Sequence, residues 1–236
     1  MVLQLIHPKK NTADAGFTLV ELLAVIAIVV IILAAAGAAL MPSNRSMDLG
    51  SASLQIKGLL DQGRQLALSR NKYVQVRFYA KTTEPTYYSA IGLFMADSPY
   101  YSNNTSDYTT WSTKGAITSA APIYYLPASM ILPTTNNATI FLIDLANDTS
   151  FPRAVANDTI KGQTDKYNWV SFYYMPNGAT DFQTLTLGGN PAPYNPSNAY
   201  FTLVMRSDFI GNNKIPPNFF AFFLPPTTGR PVILRP

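Results

Sequence analysis

The chain has 236 residues, of which 47% are hydrophobic and only 13% are charged, and its formal net charge is +4. This length suits one compact domain with one membrane-spanning segment, and so small a charge does not by itself predict a nucleic-acid partner. Cysteine is absent, which excludes disulfides and thiolate metal sites. The one histidine, His7, precedes the first apolar segment, so the rest of the chain cannot form a catalytic arrangement that needs histidine or cysteine. We therefore predict a protein that is not an enzyme and that needs no cofactor.

The first element is an apolar segment over residues 17–40, which is predicted to be a transmembrane helix. Only Thr18 and Glu21 are polar among these 24 residues, and a helix needs about 20 apolar residues to cross a bilayer. Because Lys9 and Lys10 precede the segment, the N-terminus is expected in the cytoplasm and the rest is expected to be exported. The apolar run is too long for an ordinary secretory signal, whereas an uncleaved signal anchor remains an alternative on hydropathy alone.

Glu21 distinguishes this segment from a plain anchor. A carboxylate about one turn inside a spanning helix costs roughly 2.5 to 3.5 kcal/mol on insertion scales, so such a residue usually has a functional partner. The run from Gly16 to Glu21 reads Gly-Phe-Thr-Leu-Val-Glu and leads directly into the apolar helix. With two lysines before it, this run resembles the class III signal of type IV pilins and pseudopilins.

The resemblance implies a precursor that is cleaved and assembled into a filament. The prepilin peptidase of that family cuts after the glycine, here Gly16, and methylates the new N-terminal amine, here that of Phe17. The carboxylate of Glu21 then meets the amine of Phe17 on a neighbouring subunit, which avoids two isolated charges in a low-dielectric core. The implied partners are this peptidase and methyltransferase, other pilins or pseudopilins, the inner-membrane assembly platform, and membrane lipid before assembly.

The resemblance also implies a location and a division of the chain. It places a single-pass protein in the bacterial inner membrane, with a cytoplasmic N-terminus and a globular domain in the periplasm or in an extracellular filament. Residues 1–16 are the expected leader and residues 17–41 the transmembrane and filament-core helix. Residues 42–72 are the amphipathic half of this helix, and residues 73–236 form an exported, β-rich domain.

The helix is expected to be interrupted and then to continue. Met41-Pro42-Ser43 predicts a kink or a break, with Ser43 placed to cap the helix that follows. Apolar and small residues then recur at spacings of three and four, which predicts an amphipathic helix with one face on a sheet: Leu49, Ala52, Ile56, Leu59, Leu60, Gly63, Leu66 and Ala67. The polar residues off this face are expected to be solvated or to face a neighbouring subunit: Lys57, Asp61, Arg64, Gln65 and Arg70.

After residue 72 the pattern is that of an all-β domain. Residues 73–79 alternate between apolar and polar side chains, as a half-buried strand does. Further strands are predicted between turns rich in Pro, Gly and Asn, at residues 87–94, 139–143, 169–174, 184–187, 200–205, 219–224 and 231–234. The predicted fold class is therefore α+β and pilin-like, with a long N-terminal helix packed on an antiparallel β-sheet or sandwich.

Two stretches are predicted to be long surface loops. Residues 97–114 are rich in Ser, Asn, Thr and Tyr, and residues 188–198 contain Gly-Gly-Asn-Pro and Asn-Pro-Ser. The aromatic side chains of the first stretch could form a recognition surface, although packing back onto the domain is favoured. These side chains are Tyr100, Tyr101, Tyr108 and Trp111.

Two later motifs narrow the resemblance. Residues 172–178 read Phe-Tyr-Tyr-Met-Pro-Asn-Gly, and residues 228–232 read Thr-Gly-Arg-Pro-Val. Together with the Val-x-Val-x-Phe strand they resemble the H-type minor pseudopilins of type II secretion and the related T- and U-type minor pilins. The implied function is a structural subunit of such a filament, with type II secretion, type IV pili and competence systems left open.

DNA binding at a pilus tip is the alternative function. T-type minor pilins of competence systems have a basic C-terminal tail, which makes Arg230 and Arg235 the candidate contacts. Val232 stands where the second arginine of that tail is expected. Because the net charge is low, contacts with phosphate groups would contribute little to the affinity for DNA. Nucleic acid is therefore not the predicted partner.

Calcium binding is a second alternative, because several oxygen-bearing side chains lie close together in the sequence: Asp144, Asn147, Asp148, Asn157, Asp158 and Asp165. Their spacing lacks the Asp-x-Asp-x-Asp-Gly loop with its terminal Glu. Capping and turn formation are the favoured roles for these residues, and no metal site is predicted.

Overall fold

A computed structural model describes residues 18–96, 117–135, 139–147, 154–160, 162–187, 190–209 and 214–235. The chain separates into two compact units, Met1–Arg45 and Ser46–Pro236. The predicted leader, Gly16, Phe17 and the predicted loop at 97–114 lie outside the described residues, as do the side chains of residues 34–45.

The secondary structure consists of one long helix followed by short strands and short helices. Among the described residues the helices are α1 Leu19–Arg70, α2 Ile140–Asn147 and α3 Arg206–Phe209. The strands are β1 Tyr73–Lys81, β2 Tyr87–Tyr88, β3 Ala90–Ala96, β4 Ile117–Ser119, β5 Tyr124–Tyr125, β6 Met130–Pro133, β7 Ala154–Thr159, β8 Lys166–Tyr174, β9 Thr184–Leu187, β10 Asn190–Pro193, β11 Tyr200–Met205, β12 Phe219–Phe223 and β13 Val232–Leu234. This order of elements confirms the predicted α+β class.

In the first unit, α1 presents its apolar side chains to the outside. Every side chain of residues 18–33 is exposed, and the large apolar ones are between 46% and 78% exposed. Across the ranges that the structure describes, no helix combines the length and the apolar character needed to span a membrane. The predicted span over residues 17–41 includes Phe17 and side chains beyond residue 33 that lie outside the described residues, so it stays a prediction.

A kink or a break is predicted at Met41-Pro42-Ser43; the helix is not broken there, because these residues are helical within α1. Proline inside a helix removes one hydrogen bond and clashes with the preceding turn, at a cost of about 3 kcal/mol or more. Long helical stretches on both sides of Pro42 can outweigh that local cost, since helix propagation adds one bond for each residue.

In the second unit, the apolar face of α1 packs on the β-domain as predicted. Leu49, Ile56 and Leu60 are fully buried on this face. A Cβ atom at Gly63 would lie 3.2 Å from Leu93 Cδ2 and 3.3 Å from Tyr174 Cε2. The glycine therefore allows the helix to approach β3 and β8 closely.

Two antiparallel sheets and one hairpin make up the β-domain. The first sheet has the order β4-β3-β1-β8-β7, with β5 also paired to β3, and the second has the order β13-β12-β11-β6-β2. Strands β9 and β10 pair with each other. Phe78 of β1 meets Phe201 of β11 with 5.2 Å between ring centroids, so the two sheets share one aromatic core.

The strands differ from prediction where pairing is non-local. The strand predicted at 87–94 is two strands, because β2 pairs with β6 whereas β3 pairs with β1. The predicted loop at 188–198 contains β10 and a 3-10 turn, Pro196–Asn198. Strands β4, β5, β6 and β7 are also absent from the prediction.

The strand predicted at 139–143 is wrong, because this segment begins helix α2. Phe141, Leu142 and Leu145 are its buried residues, a helical spacing that a short apolar run does not reveal. The backbone O of Thr139 accepts from the N of Ile143 at 3.3 Å, and the Thr139 hydroxyl donates to Pro133 O. These bonds fix the first turn.

Candidate functional site

Helix α1 begins with a capping box formed by Thr18 and Glu21. The Thr18 hydroxyl accepts a hydrogen bond from the backbone N of Glu21 at 3.2 Å. In return, the backbone N and the hydroxyl of Thr18 both donate to Glu21 Oε2, each at 2.9 Å. The pattern Thr-x-x-Glu predicts this reciprocal arrangement at a helix start. Thr18 is therefore a site residue that was not singled out from the sequence, although this pattern could have identified it.

The capping box leaves the other carboxylate oxygen of Glu21 available. Both Thr18 donors bind Oε2, and Oε1 accepts no hydrogen bond from a described residue. Leu19, Leu22 and Leu23 around it are all more than half exposed. The start of α1 thus presents a carboxylate oxygen on an otherwise apolar surface, an arrangement suited to receiving a cationic group.

The turn motifs at residues 172–178 and 228–232 are far apart in the sequence, and both contact Arg64 of α1. Its Nε donates to the backbone O of Thr228 at 2.8 Å and to that of Gly178 at 3.2 Å. A Cβ atom at Gly229 would lie 2.3 Å from Gly178 O, and both glycines have positive φ, 61° and 79°. Arg64, which is predicted to be solvated or to face a neighbouring subunit, is half-buried and joins both turns to the helix.

The two arginines proposed for DNA contact are placed differently. Arg235 lies with its guanidinium carbon 5.4 Å from the Phe220 ring centroid, and its Nη2 donates to the Ser46 hydroxyl at 3.4 Å. Arg230 is exposed, and its backbone N donates to the Thr228 hydroxyl at 3.4 Å. Arg235 is exposed as well, and its two contacts lie on the surface of the domain.

Three of the oxygen-bearing residues considered for calcium have other partners. Asp158 Oδ2 accepts from Trp169 Nε1 at 2.7 Å, and Asp165 Oδ2 lies 2.7 Å from Lys81 Nζ. This hydrogen-bonded ion pair raises the pKa of Lys81. Asp144 is bonded to Tyr194, and Asp148 lies outside the described residues. Within the described ranges, no group of three or more His, Cys, Asp or Glu side chains is arranged to hold a metal ion.

A cavity of about 420 Å³ lies where the first sheet meets α2. Its lining is mainly apolar and includes Tyr88, Ile143 and Val170, with Thr134 and Asn168 as polar members. The lining residues include no charged side chain.

Comparison with known proteins gives one match. Residues 11–37 match the family model described as the prokaryotic N-terminal methylation motif. No curated protein and no solved structure matches the chain. The matched segment contains Gly16, Phe17, the Thr18–Glu21 capping box and the start of the apolar helix, and it supports the predicted type IV pilin-like family.

Proposed function

We propose that this chain is a structural subunit of a type II secretion or type IV pilus filament, a minor pseudopilin or pilin without enzymatic activity. It is cleaved after Gly16, methylated on the amine of Phe17, and assembled through α1. The observation that carries this proposal is the match of residues 11–37 to the N-terminal methylation motif, which covers the cleavage site and Glu21 together.

Glu21 is the assembly residue in this proposal. No described residue donates to its Oε1, and Oε2 is held by Thr18, so the methylated amine of Phe17 from a neighbouring subunit can bind without breaking the capping box. Such pairing neutralises both charges in an apolar surrounding, where an isolated carboxylate is costly. The pair then fixes the axial position of one subunit against the next.

The exposed apolar residues of α1 must be shielded from water both before and after assembly. Residues 19–33 present apolar side chains on all sides, a surface that water solvates poorly. We propose that bilayer lipid covers it first, in a single-pass orientation with a cytoplasmic N-terminus, and that neighbouring helices cover it in the filament. The β-domain is then periplasmic or part of an extracellular filament, and the inner-membrane assembly platform is the further partner.

The H-, T- and U-type minor subunits are the subgroup that we propose within this family. Residues 172–178 and 228–232 carry the resemblance, and Arg64 joins them through Gly178 and Thr228. DNA binding at a filament tip stays the alternative function, because Arg230 and Arg235 are both exposed.

Intact mass spectrometry of the full-length chain, expressed with a prepilin peptidase, tests processing. The wild-type mass should correspond to loss of residues 1–16 and gain of one methyl group. Gly16→Val should keep the precursor mass, whereas the neighbouring control Ala15→Val should be processed. A wild-type chain that is never cut, or a Gly16→Val chain with the mature mass, overturns the proposal.

Filament recovery from the same cells tests the role of Glu21 separately. Glu21→Gln preserves size and hydrogen bonding but removes the charge, and it should be processed normally and fail to assemble. If Glu21→Gln assembles as well as the wild type, the charge-pairing mechanism is wrong even where processing is as expected.

A further inference from the structure

Tyr194 lies buried beneath α2, with its hydroxyl between two oxygen atoms. Its ring centroid is 6.3 Å from that of Phe141 and 5.9 Å from that of Phe182. The hydroxyl oxygen lies 3.0 Å from Asp144 Oδ2 and 3.1 Å from the backbone O of Asn198. Tyr194 thus connects the helix to the 3-10 turn Pro196–Asn198 that follows the β9–β10 hairpin.

The phenol of Tyr194 alone cannot make a full hydrogen bond to both oxygen atoms at once. A phenol has one proton to donate, a backbone carbonyl can only accept, and an ionised carboxylate can also only accept. Both short contacts are satisfied when Asp144 is protonated and donates to the Tyr194 oxygen while Tyr194 donates to Asn198 O. With Asp144 ionised, the single phenol proton must be shared between two acceptors.

The surroundings shift Asp144 toward its protonated form. Burial raises the pKa of its carboxyl, and the hydrogen bond from Tyr194 acts in the opposite direction with a smaller effect. Burial and the nearby Asp144 and Tyr200 raise the pKa of the Tyr194 phenol, which therefore keeps its own proton.

Among the described residues, only Tyr194 contributes to the pKa of Asp144 besides burial. The 3-10 turn Asp181–Gln183, whose Phe182 packs on Tyr194, has Asp181 as its one ionisable residue, and Asp181 does not contribute to the pKa of Asp144. Helix α2 has no further ionisable residue, β9 has none, and Tyr200 is the only one on β11. The ionisable residues of β8 do not contribute to the pKa of Asp144: Lys166, Tyr167, Tyr173 and Tyr174.

We propose that Asp144, Tyr194 and the backbone of Asn198 form a pH-sensitive latch, which holds the turn Pro196–Asn198 on α2 while Asp144 is protonated and releases its hold when Asp144 ionises. The native state binds a proton that the unfolded chain loses at the ordinary carboxyl pKa, near 3.8. The latch is therefore complete below that pH and weakens as the pH rises through the native pKa of Asp144.

Carbon-13 NMR and amide hydrogen exchange of the full-length chain in detergent test the latch. The Asp144 carboxyl should titrate above its ordinary range. The protection factor of the Asn198 amide should fall about tenfold for each pH unit by which the native pKa exceeds the ordinary one. Asp144→Asn supplies a neutral donor in place of the acid and should keep high protection at every pH. Tyr194→Phe should have low protection throughout.

Two results would overturn the proposal. One is an Asp144 carboxyl that titrates at its ordinary pKa in the wild-type chain. The other is an Asn198 amide whose pH dependence is the same in Asp144→Asn as in the wild type. The first measurement uses only the wild-type protein, so it decides the question even if a variant folds poorly.

Discussion

At the scale of single residues, Tyr174 has a buried hydroxyl with no hydrogen-bond partner among the described residues. Its ring packs against Gly63 and Gly229, and burial raises the pKa of the phenol. An unsatisfied buried polar group costs about 1–3 kcal/mol. We therefore expect Tyr174→Phe to leave the free energy of unfolding unchanged or to increase it by up to about 3 kcal/mol, measured by urea denaturation followed by circular dichroism.

Tyr194→Phe is the matched control for this substitution. It removes a hydroxyl that has two partners, at 3.0 Å and 3.1 Å, and it should decrease the free energy of unfolding by about 1 kcal/mol. If both variants are destabilised equally, the Tyr174 hydroxyl has a partner such as a buried water molecule, and the prediction is wrong.

At the scale of elements, the outer face of α1 in the second unit has features that the domain itself does not require. Met47 and Leu54 on this face are 72% and 67% exposed. A Cβ atom at Gly50 or at Gly58 would meet nothing within 4 Å, although glycine inside a helix costs about 1 kcal/mol relative to alanine. Close approach of a neighbouring subunit is a physical reason for two such glycines on one face.

Alanine substitutions on this face separate folding from assembly. Gly50→Ala and Gly58→Ala should each increase the free energy of unfolding by about 0.5–1 kcal/mol, because alanine favours the helix. The double variant should nevertheless yield fewer filaments, since two methyl groups hold a neighbour away. Gly63→Ala is the internal control, and it should lower stability because its Cβ would press on Leu93 and Tyr174. Normal filament yield from the double variant would contradict a packing role.

The elements also show what the sequence can predict. The buried face of α1 and strands β1, β9 and β11 can be predicted from local periodicity. The signal at residues 16–21 can be recognised because all of its residues are adjacent in the sequence. The split of residues 87–94 depends on pairing with β6, which residues 87–94 do not encode. Arg64 contacts partners 114 and 164 positions away, so its role could not be inferred from its neighbours on the helix.

At the scale of the whole molecule, the aromatic core and the surface ion pairs differ in their expected contribution to stability. Phe78 is fully buried, and its ring lies 5.2 Å from that of Phe201 and 6.3 Å from that of Phe172, measured between centroids. Lys81 and Asp165 form an ion pair in which both side chains are largely solvated. Exposed pairs of this kind are screened by water and salt.

These differences predict that stability depends on the core between the two sheets. Phe78→Ala should decrease the free energy of unfolding by about 3–5 kcal/mol, because it removes a buried ring and leaves a cavity. Lys81→Met should change it by less than about 1 kcal/mol, and raising the salt concentration should have a similarly small effect. Urea denaturation of both variants at low and high salt measures these values. A loss for Lys81→Met as large as that for Phe78→Ala would mean that this ion pair, at the ends of β1 and β8, holds the first sheet together, and that the aromatic core is not the main source of stability.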